Sequence, residues 1–244
     1  MIFLFTDFGH RASYVGQMRT VLARACPEVA VIELTAHAPA FDPFRSAYWL
    51  AAELPQLGAD DIMLAVVDPG VGTARAALAV RCDERWLIGP DNGLFAIAMR
   101  RASKVQINEI LWRPEILSVS FHGRDLFAPV AAKLATGEEV ALGAHTAVSP
   151  AAWPDDLAEV IFIDDYGNAM TGLRARQIPT GSVLTIAGVE LNEERTFADG
   201  KMDEAFWYVN SLGLVEISAR NGSASALLGL RIGSELTADA LSPG

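Results

Sequence analysis

Apolar positions along the first part of the chain follow two alternating rhythms. Unbroken short apolar runs at 2–5 and 62–67 read as buried strands, and 29–34 reads as a further strand between them. Between 2–5 and 29–34, Val15, Met18, Val21, Leu22 and Ala25 recur at three- and four-residue spacing. That spacing predicts a helix with one apolar face, ended by Pro27. A second helix is expected over 44–53. Residues 76–81 and 85–88 read as a pair of strands around Cys82-Asp83-Glu84. Helix is expected again over 93–101, a short strand over 105–107, and a further helix over 126–134 with Pro129 in its early turns. Strands alternating with helices predict an α/β sandwich domain with a mostly parallel sheet covered on both faces, spanning 1–148.

The rhythm then changes. Residues 143–154 hold Ser149-Pro150 and Trp153-Pro154, a composition suited to an inter-domain connection. Beyond it the apolar runs are short and frequent, at 160–163, 183–186, 206–209, 215–218 and 227–232. Gly167, Gly181, Gly188, Gly213 and Gly222 punctuate them, and few helical patterns intervene. This predicts a second domain over 155–244, built as a small antiparallel β-barrel.

The formal net charge of −11 argues against a general nucleic-acid binder, which needs a basic face. No apolar stretch approaches the roughly 20 residues that a membrane span requires. No basic-then-apolar leader pattern opens the sequence, and the two cysteines are far apart, so a reducing cytoplasm is the expected location. The four histidines (10, 37, 122 and 145) show no metal-ligand spacing.

Chemistry concentrates where strands end. Asp7 follows the first apolar run and Asp68 follows the run at 62–67, which puts two carboxylates where ligands bind in open α/β sheets. Asp7 is suited either to hold a ribose diol or to cap the following helix. Asp68-Pro69-Gly70-Val71-Gly72 is a tight turn, with Arg75 seven positions after Asp68. It serves equally as a ligand loop or as a loop tied by an ion pair. Pro90-Asp91-Asn92-Gly93 is another strand-to-helix turn, and His122 sits between Phe121 and Gly123. In the second domain Asp164-Asp165-Tyr166-Gly167-Asn168, Asn210-Ser211 and Arg220-Asn221-Gly222-Ser223 are polar turns, able to read a purine edge or simply to close hairpins.

Taken in order, these segments resemble the S-adenosylmethionine hydroxide adenosyltransferase family, hydrolytic relatives of fluorinase and chlorinase. The resemblance covers nearly the whole chain: Thr6-Asp7-Phe8-Gly9, Tyr14-Val15-Gly16-Gln17-Met18, Asp68-Pro69-Gly70-Val71-Gly72 with Arg75, Pro90-Asp91-Asn92-Gly93-Leu94, Phe121-His122-Gly123-Arg124-Asp125, Ile163-Asp164-Asp165-Tyr166-Gly167-Asn168, Thr196-Phe197-Ala198-Asp199 and Asn221-Gly222-Ser223.

The resemblance implies an α/β domain joined to a β-barrel, assembly as a homotrimer, and sites shared between subunits. It implies hydrolysis of S-adenosylmethionine to adenosine and methionine, with the small molecule as substrate and no metal or other cofactor. Asp68, Arg75 and His122 would be the catalytic set. Asp7 would hold the ribose diol, with Phe8, Asn92 and Phe121 lining the same site. Asn168 and the backbone at Gly222 and Ser223 would read adenine, and Phe197 would stack on it. Asp164 and Ser211 would hold the methionine end, with Asn210 and Arg220 in adjoining turns. Ala12 and Leu212 replace an acid and an arginine of the halogenating relatives, implying a looser grip on the amino-acid end. Two other readings of the same residues are a non-catalytic nucleoside sensor and a metal-assisted hydrolase using Asp7, Asp68 and Asp91.

Overall fold

The computed structural model describes residues 1–238. The last part of the expected second domain, 239–244, lies outside the described residues. The chain divides into two compact units, Met1–Trp153 and Pro154–Gly244.

The first unit runs β1 (Ile2–Thr6), α1 (Tyr14–Ala25), β2 (Val31–Thr35), α2 (Pro43–Glu53), β3 (Ile62–Val66), β4 (Ala77–Cys82), β5 (Arg85–Pro90), α3 (Ala96–Arg101), β6 (Val105–Ile110), α4 (Ala128–Ala135) and β7 (Leu142–Ala144). One sheet in the order β2-β1-β3-β5-β4-β6-β7 organises them. The strands β2, β1, β3 and β5 pair in parallel, whereas β4, β6 and β7 add on antiparallel. The sheet is therefore mixed rather than mostly parallel. The cause is local: Cys82-Asp83-Glu84 closes a tight hairpin, with Asp83 at φ 53°, so β5 folds straight back on β4.

Each face of the sheet is covered. Val15, Met18 and Leu22 of α1 and Val130 and Ala131 of α4 share a core with Ile2, Leu4, Ile62 and Leu64. On the opposite face Phe5 meets Trp49 of α2 edge to face, with ring centroids 5.5 Å apart. β3 is buried at every position, which is why its sequence is an unbroken apolar run. Helix α2 starts where Asp42 accepts the Arg45 backbone N–H at 3.0 Å and Pro43 opens the first turn.

The second unit contains β8 (Leu157–Ile163), β9 (Ala169–Arg174), β10 (Leu184–Ile186), β11 (Val189–Leu191), β12 (Ala205–Val209), β13 (Leu214–Ala219), α5 (Ala224–Leu228) and β14 (Leu236–Ala238). Its strands form two antiparallel sheets, β12-β13-β9-β8 and β11-β10-β14. One core joins them, with Val160, Leu184, Leu191, Trp207 and Ile217 among its members. The expected closed barrel is not found among the described residues. The strands β10, β11 and β14 have three residues each, and only isolated bridges such as Glu193–Trp207 and Glu159–Glu235 link the sheets. The run at 227–232, expected as a strand, instead completes α5 and the turn after it. Ser223 caps that helix by accepting the Ala226 N–H at 3.1 Å, and Gly229 ends it at φ 65°.

Gly89 allows β5 to lie against its neighbours: a Cβ there would stand 2.2 Å from the Ala65 carbonyl oxygen and 2.9 Å from Phe95. Because one obstacle is backbone, Gly89→Ala is expected to lower unfolding stability by about 2 kcal/mol or more, read from denaturant midpoints.

Candidate active site

The strand order places the site. After β1 the chain passes to β2 on one side, then returns to β3 on the other, so the winding reverses between β1 and β3. At such a point the loops leaving the carboxyl ends of parallel strands diverge and open a crevice. Thr6 and Val66 are paired in register, so Asp7 and Asp68 emerge there from adjacent strands.

The loop after β3 is built from tight turns. The Val71 N–H donates to the Asp68 carbonyl at 3.3 Å, and the Thr73 hydroxyl to the Gly70 carbonyl at 2.7 Å. Gly72 has φ 80°, and a Cβ there would lie 2.4 Å from the Val119 carbonyl oxygen. No other residue type allows the loop to approach the segment before His122 so closely.

Arg75 then turns back onto Asp68 as a two-pronged fork. Its Nε donates to Oδ1 at 2.7 Å and its Nη2 to Oδ2. The pair is withdrawn from water, with side-chain exposures of 9% for Arg75 and 4% for Asp68. Nη1 donates to the Ala76 carbonyl at 3.0 Å, and the guanidinium carbon lies 5.4 Å from the centre of the Phe127 ring. Nη2 also reaches Nδ1 of His122 at 3.2 Å. Because a guanidinium only donates, Nδ1 is the acceptor in this contact and a neutral His122 carries its proton on Nε2. Burial and the Arg75 charge hold the His122 pKa below the ordinary 6.5, while Asp68 acts in the opposite direction.

His122 is aimed by an unusual piece of backbone. Residues Gly123–Phe127 form a π-turn that runs directly into α4, with the Ala128 N–H bonded to the Gly123 carbonyl. A cleft of about 310 Å³ opens in front, lined by Asp68 and His122 together with Phe8, Tyr14 and Phe121. Those three aromatic rings pack against one another at centroid distances of 5.2–5.8 Å. Asp7 stands beside the cleft. Burial raises its pKa, and the Asp68 charge adds to that, against the Phe41 N–H that it accepts at 2.9 Å.

The remaining predicted residues divide differently. Asn92 donates to the Val67 carbonyl at 2.9 Å and accepts from the Leu94 N–H at 3.2 Å, so its amide fastens the end of β3 to the turn after β5. Asp91 accepts from the Val148 N–H at 2.7 Å and meets His145 Nε2 at 2.9 Å. No grouping of three or more His, Cys, Asp or Glu that could hold a metal is found among the described residues, so Asp7, Asp68 and Asp91 do not come together as a ligand set.

In the second unit Asp164 accepts from the backbone N–H groups of Tyr166 and Asn168 and from the Asn168 amide, at 2.8–2.9 Å. Gly167, at φ 83°, lies so close to Ser223 that a Cβ would overlap it, which brings two of the predicted turns together. Asn210 accepts from Leu212 and Leu214 N–H and donates to Glu216, which also holds the Tyr208 hydroxyl. Phe197 is 44% exposed and packs against Tyr208 at 5.1 Å. Arg220 donates to the Gly200 carbonyl at 3.2 Å, and Ser211 and Gly222 are exposed.

Sequence reasoning did not single out Phe41 or Tyr208. Phe41 holds a left-handed φ of 59° with its side chain 78% exposed, and its N–H caps Asp7. Its one legible signal is the Phe-Asp-Pro string that precedes a helix.

An α/β unit with an Asp–Arg–His set at a sheet's switch point, followed by a unit of antiparallel sheets, defines a two-part small-molecule enzyme architecture. Residues 2–143 match the SAM hydroxide adenosyltransferase N-terminal domain, and residues 158–237 match its C-terminal domain. The chain belongs to the SAM hydroxide adenosyltransferase family. It is 36% identical to the (R)-S-adenosyl-L-methionine hydrolase of Thermus thermophilus, covering 95% of this chain and 96% of the relative. With the protein of the same description from Salinispora arenicola it shares 38%, covering 95% and 94%. Among solved structures, a conserved protein of Thermotoga maritima aligns with a TM-score of 0.83 at 27% identity, over 98% of this chain and 100% of that one. A conserved hypothetical protein of Thermus thermophilus aligns with a TM-score of 0.75 at 35% identity, over 97% and 98%.

Removing one member of the buried pair strands the other charge. Arg75→Leu is expected to cost about 3–5 kcal/mol of unfolding stability, and Asp68→Leu with Arg75→Leu far less than the two single changes added together. A double-mutant cycle of urea unfolding measures the difference.

Proposed function

We propose that this chain is a cytoplasmic (R)-S-adenosyl-L-methionine hydrolase, forming adenosine and L-methionine without a metal or added cofactor. The observation that carries this reading is the buried Asp68–Arg75 fork, with His122 on its outer side facing an aromatic-walled cleft. The hydrolase relatives, similar over nearly their whole length, support the substrate.

The reaction suits such a site. Water attacks C5′ of the ribose opposite the sulfonium. A carbon–oxygen bond forms, the C5′–S pair goes to sulfur, and methionine leaves as a neutral thioether. The oxygen then sheds a proton to solvent, so no covalent intermediate is needed. Since the leaving group is already charged, the protein's task is to orient one water and keep others out. His122, neutral at pH 7, holds that water through its Nε2–H. Arg75 fixes the ring through its contact with Nδ1, and Asp68 locks Arg75 in place.

For the substrate, Asp7 accepts the ribose diol, while Phe8 and Phe121 wall the sugar. Asn92 acts by holding the loop end on which Asp68 sits. The backbone at Gly222 and Ser223 meets adenine, with Phe197 stacking on it, and Asn168, buried with its amide held by Asp164 and Ser218, stiffens the turn behind them. Ser211 meets the amino-acid end, and Asp164 acts by fixing the Asn168 amide. Asn210 and Arg220 shape the neighbouring turns. These residues serve the cleft of an adjoining subunit in a homotrimer. Exposed apolar side chains near the cleft, Val119 at 78% and Ile116 at 82%, support burial by a neighbour.

Incubation with S-adenosylmethionine is expected to release adenosine at the same rate with and without chelator. Tight binding without turnover would make the protein a sensor, and loss of activity to chelator would make it a metal enzyme. His122→Ala and Asp68→Asn are expected to lower turnover by about 100-fold or more while adenosine still binds by calorimetry.

Protonation of His122 disrupts the Nδ1 contact with Arg75, so rate falls as pH drops through its lowered pKa. The acid limb of the kcat profile should therefore lie below pH 6.5; a limb above that value refutes the assigned role. Light scattering on the eluting peak is expected to give three times the chain mass, and a monomer with full activity would overturn the shared site.

A further inference from the structure

The Phe121-His122-Gly123-Arg124-Asp125 string contains two charged residues that the proposed chemistry does not use. Their bonds enclose the residue that it does use. Arg124 lays its fork on its own neighbour, with Nε donating to Asp125 Oδ1 at 2.5 Å and Nη2 to Oδ2 at 2.9 Å. Asp125 Oδ2 also accepts the Ser118 backbone N–H at 3.0 Å. The carboxylate thus closes a loop that starts at Ser118, passes through Phe121 and His122, and returns to the π-turn. The other side of the fork runs along the wall of the cleft, which Arg124 and Gln17 both line: Nη1 donates to Gln17 Oε1 at 2.9 Å, and Gln17 donates onward to the Ser13 hydroxyl at 2.9 Å. Both partners belong to the start of α1, the helix that follows Asp7 and Phe8. The guanidinium carbon of Arg124 stands 5.2 Å from the Phe121 ring centre.

We propose that Arg124 and Asp125 are positioning residues that hold His122 against Arg75, by closing the 118–125 loop on itself and pinning it to α1 through Gln17. The inference rests on the reading of His122 as the residue that meets the water.

Two features make the clamp more than a surface ion pair. Ser118 and Asp125 lie on either side of His122 in the chain, so the bond between them removes the freedom of the whole loop to hinge. The clamp is also built on the π-turn, whose irregular backbone gives His122 its direction and has no long run of helical bonds to stiffen it. Without the clamp, the loop would be held by the packing of Phe121 against Phe8 and Tyr14, and the 3.2 Å contact with Arg75 would be left to fix the direction of the His122 ring.

Asp125 has an electrostatic signature too. The charged groups facing His122 are Arg75 after the Asp68 loop, Asp68 beyond β3, Arg113 after β6, and Asp125 on its own turn. The two aspartates favour the imidazolium and the two arginines oppose it.

The test is Asp125→Asn, with Arg124→Lys as a second variant that keeps charge but loses the fork. Three measurements are made: the His122 titration by NMR in the ligand-free protein, kcat on S-adenosylmethionine, and the Kd for adenosine by calorimetry. Asp125→Asn is expected to move the His122 midpoint to lower pH and cut kcat about tenfold or more, with adenosine affinity within about twofold of wild type. Arg124→Lys is expected to cut kcat comparably. The proposal is overturned if both variants keep wild-type turnover and midpoint, or if kcat and adenosine affinity fall together with the midpoint unmoved, as a merely structural loss would give. Should the wild type hydrolyse nothing while the Asp125→Asn midpoint still moves, the clamp on His122 stands and the hydrolase reading fails.

Discussion

Taking a carboxylate and a guanidinium out of water together is costly unless their geometry is nearly ideal, and that demand shapes the first unit. Asp68 leaves the end of β3 with one residue between it and the strand. Arg75 has to return over it within a short loop, so the chain needs two turns in quick succession and glycine where it grazes the Val119 carbonyl. Once Arg75 is in place, three of its nitrogens are committed to Asp68 and Ala76, and the Nη2 that serves Asp68 also reaches His122. The histidine's tautomer follows from meeting a fixed cation at one ring nitrogen, and that cation adds to burial in lowering its pKa. A lysine could supply the charge at this position but not the planar fork, so it would leave His122 without a defined partner.

The second unit solves a different problem. Asp164, Asn168 and Asn210 commit their polar atoms to their own turns and to nearby strands, which makes those turns stiff. What they leave outward is backbone together with aromatic faces, Tyr166 at 81% exposure and Phe197 at 44%. Surfaces of this kind suit a flat heteroaromatic ligand, which needs a stacking face and a few fixed hydrogen-bonding groups rather than a buried charge.

Much of the first unit was legible because its central strands are buried on both sides and therefore lack polar interruptions. The site's backbone was legible for a related reason: aspartates directly after such runs have few places to go except the sheet's rim. What stayed hidden depends on pairing. Strand direction beyond β5 was decided by a hairpin whose middle residue, Asp83, adopts a left-handed φ that no apolar pattern announces. β9 was missed because Thr171 and Gly172 interrupt its apolar run, although both lie inside a buried strand and the Thr171 hydroxyl is satisfied by the Val215 carbonyl. The run at 227–232 has strand-like composition, but the Ser223 cap converts its start into a helix. Likewise Arg124 looks like any surface arginine until its fork is seen on Asp125, and Phe41 shows its place only through the bond to Asp7.

The π-turn at Gly123–Phe127 is wider than an α-turn by one residue, and Pro129 follows it at the second position of α4. An α-helix advances about 100° per residue, so one extra residue offsets everything upstream by that angle relative to the packed face downstream. Val130 and Ala131 keep their seat in the core while His122, on the far side of the offset, points somewhere that a regular helix could not aim it. The two requirements are thereby decoupled. α4 can be repacked over Val130 and Ala131 without redirecting the histidine, whereas a single-residue deletion among the residues of the turn nearest His122 would swing the imidazole away from Arg75 while Val130 and Ala131 kept their seat.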